Sequence, residues 1–215
     1  MTPRLPRRIQ ELPLGRAAGS VAVAVLAVGA TWYYASPAYT EVGYRPVQPV
    51  AYSHQLHAGE LGIDCLYCHA TVDRAPAAVV PPTRVCMNGH HVVRRDSPAL
   101  AAVRESAAKG RPLEWVRVHD LPGFVFFDHR PHLRAGVGCA TCHGRIDEME
   151  VVTQARPLDE TWCLDCHRDP DPYLRPDDEL TTMEWSAPAN QRELAARIRA
   201  EKHLAPPVGC TGCHR

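Results

Sequence analysis

The stretch Cys-Ala-Thr-Cys-His at residues 139–143 decides the fold, because its Cys-x-x-Cys-His pattern occurs four times in the 215 residues. Eight of the nine cysteines form the four pairs: Cys65/Cys68, Cys139/Cys142, Cys163/Cys166 and Cys210/Cys213. A histidine directly follows each pair: His69, His143, His167 and His214. Since only 12 residues are histidine, four such coincidences have a chance of roughly one in a hundred thousand, and the pattern predicts covalent haem attachment.

The chemistry of c-type haem needs this spacing. Two thiols add to the two vinyl groups on one edge of a haem, and the adjacent histidine then reaches the iron as its proximal ligand. Structural zinc is one alternative, because paired Cys-x-x-Cys sites also form zinc ribbons. Disulfides are the other, because the compartment predicted below is oxidising. Zinc does not require a histidine after every second cysteine, so haem is the favoured interpretation.

The ninth cysteine lies in an incomplete copy of the motif, Val85-Cys86-Met87-Asn88-Gly89-His90. The first cysteine and the proximal histidine are present, and Gly89 stands where the second cysteine is expected. We expect a single thioether from Cys86, together with iron ligation by His90, to hold a fifth haem. The alternative is a lost site with a free thiol.

A larger unit repeats around the motifs. His54-x-x-His57 precedes Cys65, and His129-x-x-His132 precedes Cys139, at nearly the same offset. A further motif follows in each unit, at Cys86 and at Cys163. The sequence therefore predicts duplicated two-haem units at about residues 54–91 and 129–167, with the fifth haem at the C-terminus.

Each iron has a sixth position once its proximal histidine is bound. The candidate distal ligands are His54, His57, His119, His129, His132 and Met183, with simple packing as the alternative for Met183. His91, His203 and Met149 are weaker candidates. Because the candidates outnumber the irons, we expect most or all irons to be six-coordinate, which favours electron transfer over catalysis.

An apolar segment near the N-terminus predicts a membrane anchor. Residues 17–34 carry no charge, Arg4, Arg7, Arg8 and Arg16 precede them, and Trp32, Tyr33 and Tyr34 close them. This pattern favours a single span with the remainder outside the cytoplasm. The alternative is a cleaved signal peptide with Ser36-Pro37-Ala38 as its cleavage site. The predicted division is a cytoplasmic N-terminus at 1–16, the anchor at 17–38, a linker at 39–51 and a periplasmic haem domain at 52–215.

The composition predicts a fold that is mostly irregular. Twenty prolines against three phenylalanines and four tryptophans leave too few large side chains to fill a core. We expect a multihaem cytochrome c with a few short helices packed around haems, among them 97–110 and 190–202, and short strands at 116–119 and 124–127. A formal net charge of zero excludes the basic surface of a nucleic-acid binder.

Two longer stretches, YRPVQPVAYSHQLHAGELGIDCLYCH at residues 44–69 and GRPLEWVRVHDLPGFVFFDH at residues 110–129, carry a family resemblance. They resemble the pentahaem cytochrome subunit of alternative complex III. The resemblance implies the five proximal histidines and the five distal histidines named above, with Met183 in a His/Met haem; Gly89 departs from the family's intact motif.

The same resemblance implies an electron-carrying subunit of a quinol-oxidising complex in the bacterial cytoplasmic membrane, not an enzyme by itself. Its implied partners are an iron–sulfur/molybdopterin-like subunit, quinol-binding integral membrane subunits, a monohaem cytochrome c and the lipid bilayer. Two alternatives stay open. One is a membrane-anchored multihaem quinol dehydrogenase that feeds a periplasmic reductase, and the other is a multihaem reductase with one open iron.

Overall fold

The computed structural model describes residues 14–214, and the chain divides into two compact units after Glu41. Arg4, Arg7 and Arg8, on which the predicted orientation of the anchor partly depends, lie outside the described residues. Each unit is described below by itself.

The first unit is dominated by one long helix. Helix α1 spans Leu14–Tyr34, and a short helix α2 follows at Pro37–Thr40. At 21 residues α1 is about 30 Å long, which matches the hydrocarbon thickness of a bilayer. The segment Gly15–Tyr34 has the length and composition of a membrane span, and a signal sequence would share both properties.

The second unit consists of short helices joined by irregular segments. The α-helices are α3 (Cys65–Cys68), α4 (Thr83–His90), α5 (Ala101–Lys109), α6 (His129–Ala135), α7 (Cys139–His143), α8 (Glu160–Arg168) and α9 (Gln191–Lys202). A π-helical segment covers Gln55–Glu60, and 3₁₀ turns lie at Pro98–Leu100, Ile146–Glu148, Asp171–Tyr173, Asp177–Glu179 and Cys210–Gly212.

Two predicted helices form where the sequence signals place them. A 3₁₀ turn at Pro98–Leu100 leads into α5, which ends at Gly110 in the left-handed conformation with φ of 63°. Ser97 occupies the N-cap position in an extended conformation, but its side chain makes no capping hydrogen bond. The second predicted helix is α9, with Asn190 before its first turn.

The predicted short strands are wrong, because residues 14–214 form no β-strand. At 116–119 the backbone of Val116 bonds instead to the side chain of Gln48, which donates to its carbonyl and accepts from its N–H at 2.8 and 2.9 Å. At 124–127 the chain makes only an isolated bridge between Val125 and His214. A side chain at the first place and a single bridge at the second take the place of the hydrogen bonds between neighbouring β-strands.

The predicted linker, residues 39–51, divides between the two units: Tyr39 and Thr40 belong to α2, and the chain from Val42 onward belongs to the second unit. The Gly43 N–H donates to the Gln154 carbonyl, and the Gln154 N–H donates back to Tyr44. Farther along, Val50 is buried.

The apolar core of the second unit is small. Leu174, Ala195 and Ile198 form its buried cluster, and Val137, Leu194 and Leu204 pack against it. The bridge between Val137 and Leu174 ties the segment before α7 to this cluster. This cluster contains none of the motif cysteines.

Candidate functional site

Four of the cysteine motifs lie in α3, α4, α7 and α8, and the last lies on the 3₁₀ turn Cys210–Gly212. We number them 1 to 5 in chain order, so that motif 2 contains Cys86. A helical turn places positions i, i+3 and i+4 on one face, which directs both cysteines and the histidine of a motif to the same side. Asp64 caps α3 by accepting from the Leu66 N–H at 2.7 Å, and Asp159 caps α8 by accepting from Trp162 at 2.8 Å.

The state of the cysteines does not match disulfides, and the placement of possible metal ligands does not match a structural zinc site. All nine cysteines are free thiols. Among residues 14–214, no group of three or more His, Cys, Asp or Glu side chains is placed to hold a metal ion, so the closed ligand set of a zinc ribbon does not occur there.

Motifs 1 and 3 touch through their first cysteines. The Cys65 thiol donates a hydrogen bond to the sulfur of Cys139, which raises the pKa of Cys65 and lowers that of Cys139. Cys65 and Cys139 would each hold a haem through a thioether, so groups attached at motifs 1 and 3 would be neighbours.

The remaining motifs continue from this contact in both directions. In each further pair of neighbouring motifs, the pKa of one thiol is raised mainly by burial and, to a smaller extent, by a cysteine of the neighbouring motif. These pairs are Cys68 with Cys86, Cys142 with Cys163 and Cys166, and Cys163 with Cys213. The spatial order of the motifs is therefore 2–1–3–4–5, which differs from their order in the chain.

Most of the motif histidines and candidate distal histidines present a free Nε2. In each case the Nδ1–H donates to a backbone carbonyl, which fixes the ring orientation and leaves the Nε2 lone pair for a metal. The proximal pairs are His69 with Val79, His90 with Val93, His167 with Pro207 and His214 with Phe124, at 2.7–3.3 Å. The distal pairs are His57 with Ser53, His129 with Pro76 and His132 with Asp128, at 2.7–3.0 Å.

Three histidine pairs have the separation that a shared iron requires. A metal–imidazole bond of about 2 Å on each side places two trans ring centroids about 6 Å apart. His57 and His90 are 6.1 Å apart, His132 and His167 are 5.9 Å apart, and His129 and His143 are 6.5 Å apart. In both repeat units the second histidine of His-x-x-His thus faces the proximal histidine of the later motif.

A buried group of imidazoles surrounds motifs 1 and 3. Burial, reinforced by neighbouring imidazoles, lowers the pKa of His54 to about 4 and that of His143 to about 3. The neutral imidazole is the form that binds metal. His54 Nδ1 and His119 Nε2 are buried without hydrogen-bond partners, and the His119 ring lies 4.5 Å from that of His143. Orphaned ring nitrogens beside free cysteines fit iron ligation.

Two aromatic side chains contribute to the site although sequence reasoning missed them. Tyr52 contacts the His54 ring edge-on at 4.8 Å and lies nearly parallel to the His57 ring at 4.5 Å. Phe127 repeats both contacts with His129 and His132, each at 4.7 Å. Each aromatic residue stands two positions before its His-x-x-His pair, so alignment of the two units would have revealed them.

The segment that carries Met183 is anchored to motifs 1 and 3. The Cys139 N–H donates to the Leu180 carbonyl at 3.0 Å, and the Thr181 hydroxyl donates to Asp64, the cap of motif 1, at 2.9 Å. Met183 itself is half-buried. The methionine therefore lies beside the centre of the motif series rather than at its C-terminal end.

The weaker ligand candidates have local partners or exposed positions. His91 is exposed, and its Nδ1–H donates to Met87 within its own turn at 2.9 Å. His203 is exposed and ends α9 in the left-handed conformation with φ of 52°. Met149 accepts a hydrogen bond from Thr153 through its sulfur at 3.8 Å.

Comparison with known proteins supports the same cofactor. Residues 125–215 match the family described as cytochrome c7 and related cytochrome c. Over 138 residues the chain is 29% identical to the menaquinone reductase, multiheme cytochrome c subunit, of Nitratidesulfovibrio vulgaris. That match covers 64% of this chain and 62% of the relative.

The predicted fold class is confirmed: the described residues are mostly helical and irregular, with one N-terminal apolar helix, and the C-terminal residues 125–215 match a family of c-type cytochromes.

Proposed function

We propose that this chain is an electron-transfer subunit of a membrane quinol-oxidising complex and carries electrons through five c-type haems to an acceptor outside the cytoplasm. The observation that carries the proposal is the order 2–1–3–4–5, in which the cysteines of each motif are close enough to those of the next to shift their pKa values. A group bound at each motif would lie next to the group at the following one, so electrons need no other redox side chain.

The proposed haem ligands combine the motifs with the ring geometry. Each haem is attached at its motif cysteines, with Cys86 alone at motif 2, and the motif histidine is its proximal ligand. We assign His57 to the iron of His90 and His132 to the iron of His167, because their separations match two trans imidazoles. His129 is assigned to His143 at 6.5 Å. His54, His119 and Met183 are the candidates for the remaining two irons.

Bound haem supplies one-electron redox chemistry, and the protein sets where and at what potential it occurs. The backbone carbonyls that accept from Nδ1 hold the imidazoles in one tautomer and strengthen them as ligands. With six-coordinate irons the residues leave no position for a substrate. We therefore propose a carrier rather than an enzyme by itself.

The proposed link to quinones has two sources. The relative in Nitratidesulfovibrio vulgaris is named a subunit of menaquinone reductase, and the stretches at 44–69 and 110–129 resemble the alternative complex III subunit. A quinol pocket normally requires several packed helices, so we assign quinol oxidation to integral membrane partners. An iron–sulfur/molybdopterin-like subunit and a monohaem cytochrome c are the other proposed partners.

We also propose that the helix Gly15–Tyr34 remains attached as a single span of the bacterial cytoplasmic membrane, with the haem domain on the periplasmic side. Attachment of haem to Cys-x-x-Cys-His takes place outside the cytoplasm, which agrees with the predicted orientation.

Extraction of the native membrane in a mild detergent, followed by purification through a tag on this chain, tests the proposal. We expect quinol-binding membrane subunits to co-purify and the purified complex to oxidise quinol. Quinol oxidation by the isolated chain would favour the free-standing dehydrogenase instead. A high-spin signal in the EPR spectrum of the isolated chain would favour the reductase with an open iron.

A further inference from the structure

Arg175 is a buried cation beside motif 3. The residue is 5% exposed and makes no direct ion pair with another described residue, and Glu179 is the carboxylate that acts on it at longer range. Its Nη1 donates to the carbonyls of Glu179 and Thr182 at 3.4 and 3.1 Å, while Nε is buried without a partner. Burial disfavours this charge, and the longer-range attraction of Glu179 offsets only part of that cost, so this arginine is not explained by packing alone.

The guanidinium is held directly against the start of motif 3. A Cβ atom added to Gly138, the residue before Cys139, would lie 2.3 Å from the Arg175 Cζ. Trp185 covers the guanidinium at 4.5 Å from its ring centroid. The backbone N–H of Arg175 donates to the Gly136 carbonyl at 2.9 Å. Backbone, aromatic ring and glycine together fix the charge next to the Cys139 sulfur.

The same guanidinium holds the segment that carries Met183. It bonds to the carbonyl of Thr182, and on the other side of the methionine Glu184 pairs with Arg145 at 3.3 Å. The charge, the methionine segment and the cysteines of motif 3 thus form one packed group.

We propose that Arg175 raises the reduction potential of the haem attached at Cys139 and Cys142. The proposal rests on haem attachment at motif 3, which belongs to the proposed function. Reduction adds one electron to the ferric iron and neither forms nor breaks a bond. A fixed positive charge in a poorly polarisable interior stabilises that added electron more than a charge in water does.

Potentiometric titration of the membrane-bound protein, followed at the haem α band, tests this inference. Arg175→Met should lower one of the midpoint potentials and leave the others nearly unchanged. Arg175→Lys keeps the charge and should keep that potential close to the wild-type value. The matched control is Arg192→Met, which removes the same charge from a side chain that is 80% exposed; it should shift no potential.

Haem at motif 3, measured first as haem mass on the proteolytic peptide that contains Cys139 and Cys142, separates this inference from the proposed function. A wild-type protein without haem at motif 3 would contradict the proposed function, whatever the arginine variants show. With haem present, unchanged potentials in Arg175→Met, or an equal shift in Arg192→Met, would overturn the role of Arg175. If Arg175→Met loses haem, the Arg175→Lys variant decides the question. A lowered potential in Arg175→Lys, or loss of haem from Arg175→Lys, also overturns the proposal.

Discussion

The imidazole rings of His57 and His90 lie 6.1 Å apart between centroids, although the motif that contains His90 lacks its second cysteine. The separation equals that of His132 and His167, in the intact motif of the other repeat unit, to within 0.2 Å. The spacing of the two histidines at motif 2 is therefore unaffected by Gly89, and we expect two histidines and one thioether to hold a haem there.

Replacement of Cys86 by serine should abolish covalent attachment of one haem. The pyridine haemochrome ratio after acid–acetone extraction is expected to fall from five to four. Cys68→Ser is the matched control, because Cys65 remains to form one thioether and all five haems should stay attached. A wild-type ratio of four would show that motif 2 is a lost site.

Restoration of the motif provides the reciprocal check on the same site. A Cβ atom at Gly89 would have nothing within 4 Å, so Gly89→Cys fits without rearrangement. With one vinyl group unreacted, the wild-type haem at motif 2 should absorb slightly to the red of the others, and Gly89→Cys should remove that component. An unchanged spectrum would mean that the cysteine does not reach the vinyl group.

Substitution of His132 by methionine should raise the potential of one haem. A thioether stabilises ferrous iron relative to an imidazole, so the exchange of ligand moves the potential of that iron upward. Redox titration should show four unchanged components. His203→Met, on an exposed residue at the end of α9, should leave all five where they are; a shift in both variants would indicate a general effect.

Met183→His should lower the reduction potential of one haem, because an imidazole would replace a thioether ligand. If Met183 ligates an iron, its haem is the one of highest potential, and the substitution removes that component from the titration. Identical titrations for the variant and the wild type would mean that Met183 packs without ligating. Because Thr182 is held by Arg175 and Glu184 by Arg145, the backbone at this position should persist in the variant.

Asp128 should make stability depend on acid pH. Arg130, which donates to both carboxylate oxygens, lowers the pKa of Asp128 from 3.8 to about 2. A lowered folded-state pKa gives stability that is complete above about pH 4 and is lost as the pH falls through 2. Asp128→Asn, which retains an N-cap side chain, should flatten this dependence in thermal unfolding and cost less than about 1 kcal/mol at pH 7, because the pair is partly exposed.

The anchor should survive in the mature protein. Intact-mass analysis is expected to include residues 17–34, and alkaline carbonate washing should leave the protein in the membrane. A mature chain that begins at Tyr39 would mean that the segment is a signal peptide cleaved after Ala38.

The chemistry of the site could be predicted from sequence because haem attachment is local. Two cysteines and a histidine within five residues specify it, and a single turn of helix such as α7 is all the structure that it needs. Helices α5 and α9 could also be predicted from the sequence, since Gly110 marks the C-terminal end of α5 and Asn190 marks the N-terminal end of α9.

Features that depend on distant residues were not accessible in this way. The motif order 2–1–3–4–5 arises from tertiary contacts, and so does the placement of Arg175 against Gly138, 37 positions earlier in the chain. The strands expected at 116–119 and 124–127 do not form, because the backbone at these places is hydrogen-bonded to Gln48 and to the C-terminal motif instead of to a neighbouring strand. Local propensity carries no information about such competitors.

The hydrogen bond between the thiols of Cys65 and Cys139 limits when the protein can acquire its cofactors. Outside the cytoplasm, two thiols in contact are readily oxidised to a disulfide, and a cross-link there would consume a sulfur that each motif needs. Haem attached at both motifs would remove these thiols from that reaction. We therefore expect haem attachment to precede the contact between the two repeat units.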